Sequence, residues 1–74
     1  MQFTMSIEDN YWHQIDELTG AAIFVDSFDN KEFDVRIGTI QDSEPAGTIT
    51  ASSDEELNSK LAVLYKAFQL NKGN

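Results

Sequence analysis

Two stripes of apolar residues at helical spacing bracket a central stretch in which apolar and polar residues alternate. Ile7, Tyr11, Ile15 and Leu18 recur at intervals of four, four and three, which gathers them on one helical face and predicts a helix over residues 6 to 19. Ser6 serves as its cap, Glu8 and Asp9 fall in the first turn where the helix dipole favours acids, and Gly20 stands where a left-handed terminating residue is wanted. Trp12 lies beside this stripe and covers its edge.

From Ala21 the period becomes two. Ile23 and Val25 alternate with Phe24, Asp26 and Phe28, and Asp29-Asn30-Lys31 carries hairpin-turn chemistry. Phe33, Val35, Ile37 and Thr39 then alternate with Glu32, Asp34, Arg36 and Gly38, a second strand. A three-residue loop puts Val25 opposite Val35 and Ile23 opposite Ile37 on one buried face, whereas a two-residue loop sets Val25 against Asp34. Residues 41 to 47 read as a loop, since Asp42, Ser43, Glu44, Pro45 and Gly47 combine turn formers with a residue that cannot donate to a ladder. Thr48 to Ala51 is a short third strand.

Ser53 and Glu56 match a capping box, and Leu57, Leu61, Leu64 and Phe68 trace the stripe of a helix over residues 54 to 71, with Lys66 and Lys72 at its negative end and residues 71 to 74 fraying. The expected architecture is an α+β domain covering residues 1–74, in the order α-β-β-β-α, with two helices on one face of a three-stranded antiparallel sheet. The uncovered sheet face then carries Phe24, Asp26, Phe28, Glu32, Asp34 and Arg36.

The chain has 74 residues, 41% of them hydrophobic and eight aromatic by the count of Trp, Tyr and Phe, too apolar for a disordered acidic tail. It contains no cysteine, so disulfides and thiolate metal sites are excluded and a cytoplasmic setting is the simplest expectation. Its longest apolar runs fall far short of the roughly 20 residues that span a bilayer. Catalytic chemistry finds no footing. His13, the sole histidine, has no nucleophile in a recognisable motif, and the single glycines build no phosphate loop. Asp26, Asp29, Asn30, Glu32 and Asp34 are rich in oxygen but lack the glycine and terminal glutamate of a calcium loop. No catalytic residue, metal or cofactor is expected.

Charge is the informative property. The net charge is −8, and all thirteen acids fall between Glu8 and Glu56, where only Lys31 and Arg36 oppose them; Lys60, Lys66 and Lys72 lie in the last helix. Such a surface repels nucleic acid and anionic membranes and favours a basic protein partner, although net charges of about 2 to 8 also serve solubility. The element order resembles that of double-stranded-RNA-binding domains, but Asp54, Glu55 and Glu56 stand where phosphate contacts require Lys or Arg.

Acids at helix starts have an ordinary explanation; Asp26, Asp29, Glu32, Asp34, Asp42 and Glu44 do not, and together with the aromatics Phe24 and Phe28 they form the candidate partner-binding surface. Carboxylates two apart on a strand lie about 6 to 7 Å apart, a pitch comparable to phosphates along a nucleic-acid strand. With its acidic hairpin over residues 24–36, the Asp42-Ser43-Glu44 loop and the Ser53-Asp54-Glu55-Glu56 helix start, the chain resembles small, acidic, cysteine-free phage inhibitors, in particular anti-CRISPR proteins built from a three-stranded sheet and flanking helices. That resemblance implies non-catalytic, stoichiometric inhibition, with Asp and Glu taking the places of phosphates in the basic nucleic-acid groove of a CRISPR effector. The alternative expectation is a small adaptor, immunity or accessory protein that binds its partner through exposed aromatics.

Overall fold

The segment Tyr-Trp-His-Gln-Ile, aromatic and β-branched, forms an extended strand in place of a helical turn. The computed structural model describes residues 2–39 and 41–72, and the side chains of residues 2–39 and 41–70. Its elements are β1 (Tyr11–Ile15), β2 (Ala22–Ser27), β3 (Glu32–Gly38), β4 (Ser43–Thr50) and α1 (Asp54–Lys72). The strands pair antiparallel in the order β1-β2-β3-β4, a four-stranded meander, and α1 packs on one face.

The order is therefore β-β-β-β-α, which overturns the expected α-β-β-β-α architecture with its three strands and two helices. The helix expected over residues 6 to 19 is replaced by a turn, β1 and a loop. Leu18, the end of the supposed buried stripe, is 96% exposed, and Tyr11 and Ile15 face solvent. The capping residues act in a turn: Asp9 N–H donates to the Ser6 carbonyl at 3.0 Å, Asp9 Oδ2 accepts Ser6 N–H and Ser6 Oγ accepts Glu8 N–H. Gly20 does adopt positive φ, at 77°, but in the β1–β2 loop, where its N–H donates to the Asp16 carbonyl.

The β2–β3 hairpin has the expected register, Val25 opposite Val35 and Ile23 opposite Ile37. Asn30 sits at its turn with φ 60°, a conformation that asparagine tolerates better than most residues. Ser27 Oγ binds both the Asn30 N–H and the Glu32 carbonyl at 2.8 Å, so the turn is closed from inside. The expected loop over residues 41 to 47 is a correction as well, because Ser43 to Gly47 belong to β4. Pro45 is tolerated there for two reasons: β4 is an edge strand, and the ladder shifts register beside it at Val35/Arg36.

Helix α1 starts as its capping box requires, with Glu56 N–H on Ser53 Oγ at 3.1 Å. The reciprocal bond reaches one residue further back, from Ser52 N–H to Glu56 Oε1. The helix runs to Lys72, one residue past its expected end, and Gly73 and Asn74 of the expected frayed tail lie outside the described residues. Leu57 and Leu61 are fully buried against Ile23, Val25, Phe33, Val35, Ile37 and Ile49.

The remaining core wall comes from residues 3–7. Phe3 and Met5 are buried, and Asn58 holds Met5 by both backbone groups, accepting its N–H and donating to its carbonyl, each at 2.9 Å. Phe3 lies 5.8 Å, ring to ring, from both Trp12 and Tyr65. Tyr65 Oη donates to Asp16 Oδ2 at 3.0 Å and accepts Gln69 Nε2, tying the helix to the β1–β2 loop.

Candidate functional site

A meander covered by one helix leaves the opposite sheet face open. Pairing arranges its side chains in rows: Tyr11, Asp26, Asp34 and Thr48 in one, His13, Phe24, Arg36 and Pro45 in the next. Asp26 and Asp34 are direct cross-strand neighbours, both exposed. Thr48 Oγ1 donates to Asp34 Oδ1 at 3.0 Å, whereas Asp26 makes no side-chain hydrogen bond among the described residues. Neither has a cation within ion-pair distance among those residues. Arg36, the nearest base on the strand, is turned toward the start of β4, donating from Nε to Ser43 Oγ and from Nη2 to the Ser43 carbonyl, both at 3.2 Å.

Beside the acids runs an aromatic strip. Tyr11 and His13 rings are 5.6 Å apart, and His13 stacks on Phe24 at 6.4 Å with an interplanar angle of 22°. Ile15 is exposed at the end of the same strand face. Tyr11, His13 and Ile15 escaped sequence reasoning because helical spacing assigned two of them to a core; the β propensity of residues 11–15 was the unused signal that pointed to a strand.

Of the expected surface residues, the fold brings together Phe24, Asp26, Asp34 and, at the start of β3 opposite Thr50, Glu32. Phe28 is fully exposed at the β2–β3 turn. Asp29 has a folding role after all: its Oδ1 accepts the Lys31 and Glu32 N–H groups, each at 2.9 Å. Asp42 and Glu44 are at the far end of the sheet, where Glu44 pairs with Ile37 of the covered face. The six acids are therefore not one surface.

Hydrogen bonds shift several carboxylates. Asp29 is held below its ordinary value of 3.8 by the Glu32 N–H and then the Lys31 N–H; Asp16 likewise by the Leu18 N–H and then Tyr65. Glu56 lies below 4.5 through the Ser52 N–H, then Lys60. Depressed folded values mean that the unfolded chain takes up protons first on acidification. The stability they contribute is present above these ordinary values and is lost as pH falls through them toward the lower folded ones. Thermal melts between neutral pH and pH 2 are expected to show this acid limb, softened by relief of acidic repulsion, and Asp29→Asn, which keeps an acceptor that does not titrate, should flatten it. Burial raises the Tyr65 phenol, with Asp16 adding to the effect, so its contribution is present at neutral pH and is lost above its ordinary value of 10.0.

Among the described residues no three His, Cys, Asp or Glu side chains converge as a metal site, and no helix is long and apolar enough to cross a membrane. Comparison of the chain with protein-family models, curated proteins and solved structures finds no match.

Proposed function

We propose that this chain is a non-catalytic binding protein whose open sheet face docks one to one on a basic surface that handles nucleic acid, with a CRISPR effector as the target class implied by the sequence resemblance. The β-β-β-β-α order removes the architectural part of that resemblance. The acidic hairpin remains. The observation that carries the reading is the direct opposition of Asp26 and Asp34 with no compensating cation among the described residues. Like charges directly opposite destabilise a sheet, and lysines or arginines of a partner would relieve the repulsion.

Asp26→Lys separates binding from folding. Facing Asp34, the new lysine is expected to stabilise the sheet by roughly 0.2–1 kcal/mol while weakening attachment to a basic partner about tenfold or more. The check is a pull-down from host lysate at low and high salt, followed by titration of the retained protein. A nucleic-acid-handling complex held at low salt by the original chain, released at high salt and lost with Asp26→Lys supports the reading; equal retention by both chains rejects it.

The contiguous ring strip of Tyr11, His13 and Phe24 favours a second reading, an adaptor or accessory protein anchored by aromatics. It requires that Tyr11→Ala weaken binding more than Asp26→Lys, with little dependence on salt.

A further inference from the structure

At the end of the sheet where the β1–β2 and β3–β4 loops approach the C-terminal half of α1 lies a cleft of about 560 Å³. Its apolar lining comes from Ala21, Ile37 and Phe68, and its polar lining includes Thr39, Asp42 and Gln69. Glycine makes this architecture possible. Gly20 carries the left-handed turn of one loop, and a Cβ on Gly38 would collide with the Asp42 carbonyl in the other. Gly38 also belongs to the cross-strand row Ile15, Ala22, Gly38 and Ser43, so the cleft adjoins the open sheet face.

The charged group left over at the cleft, the Asp42 carboxylate, is an acceptor, while the hydroxyls of Thr19 and Thr39, which accept backbone N–H groups, keep their own O–H donors. Thr39 Oγ1 accepts the Asp42 N–H at 3.0 Å, and the Gln69 Nε2 donates to Tyr65 Oη at 2.8 Å. The Gln69 amide oxygen and the Asp42 carboxylate make no hydrogen bond or ion pair among the described residues. No Lys, Arg or His lines the cleft among those residues. A group that fits must bring an apolar stem, several donors and positive charge. Guanidinium answers this better than ammonium, because its planar fork serves two acceptors at once and it is more weakly hydrated beside apolar walls.

We infer that this cleft is an anchor site for an arginine side chain of the protein partner, its methylene stem against Ala21, Ile37 and Phe68 and its guanidinium on Asp42 and the Gln69 amide oxygen. The inference rests on the reading of a basic partner and gives that partner a second point of attachment, at the end of the sheet remote from the β2–β3 turn.

The test uses the full chain and no partner. In a ¹H–¹⁵N NMR titration, n-propylguanidinium chloride should shift the amides of Thr39, Asp42 and Gln69 saturably, with an affinity on the order of millimolar. Guanidinium chloride, which lacks the stem, should bind roughly threefold more weakly or worse, and n-butanol should not saturate. Asp42→Asn is expected to weaken propylguanidinium about fivefold with the remaining spectrum intact, whereas Glu55→Gln, removing a charge elsewhere, should change it less than about twofold.

Shifts confined to Asp26 and Asp34 and their neighbours, or equal affinity in the Asp42→Asn chain, overturn the cleft assignment and leave the sheet-face reading standing. Cleft binding that depends on Asp42, combined with partner affinity indifferent to Asp26→Lys, upholds the cleft and overturns the sheet-face reading.

Discussion

Phe33→Ala is expected to remove most of the stability of this domain. Phe33 is fully buried in the middle of the core, on β3 between Ser27 of β2 and Ile49 of β4. Truncating a buried phenylalanine costs about 3–5 kcal/mol, the lost transfer of the ring plus the cavity it leaves. A chain of 74 residues has a total stability of roughly 4–11 kcal/mol at the usual 0.05–0.15 kcal/mol per residue. The variant should unfold at low urea concentration or be unfolded without it. Trp12 is the only tryptophan in the chain and packs on Phe3, so its fluorescence reports the transition. Phe33→Leu, which leaves a smaller void, should retain a cooperative transition; equal midpoints for Phe33→Ala and the original chain would contradict the packing described.

Asn58→Ala should be the most damaging polar substitution. It leaves the N–H and the carbonyl of Met5 without partners at a half-buried position, where each unsatisfied group costs about 1–3 kcal/mol. Water reaches part of this site, which puts the sum near the low end, about 2–3 kcal/mol. The damage has a direction. With Met5 released, Phe3 leaves its contacts with Trp12 and Tyr65, so hydrogen exchange should accelerate over residues 2–7 and Trp12 emission should move to the red before the sheet unfolds. Asn58→Asp keeps the acceptor for Met5 N–H and loses the donor, and should fall between the two.

The central hairpin and the last helix were legible in the sequence because each carries two independent signals. Alternation of Ile23 and Val25 with Phe24 and Asp26 agreed with turn chemistry at residues 29–31, and Ser53 with Glu56 agreed with the leucine spacing behind them. Residues 6–19 carried conflicting ones. Ile7, Tyr11, Ile15 and Leu18 fit a helix, but residues 11–15 are strand formers, and pairing with β2 decided the matter by giving Trp12 a place on the covered face. Pro45 misled in another way: it excludes a central strand, not an edge one. The site was half legible for the same reason. Asp26, Asp34 and Phe24 sit on the hairpin that was read correctly, while Tyr11 and His13 sit on the strand that was not.

Asn58 joins residue 5 to a helix 53 positions along the chain, whereas every strand pair joins sequence neighbours. The two kinds of contact differ in the length of chain that must be closed to make them. Hairpins close on microsecond timescales, and a loop of this length closes at greater entropic cost and gains nothing until the helix is in place. By this argument the three local hairpins are expected to form before the N-terminal segment docks on the helix. During synthesis residues 3–7 emerge ahead of Asn58, which follows Met5 by 53 positions, and they wait without their partner until the helix arrives.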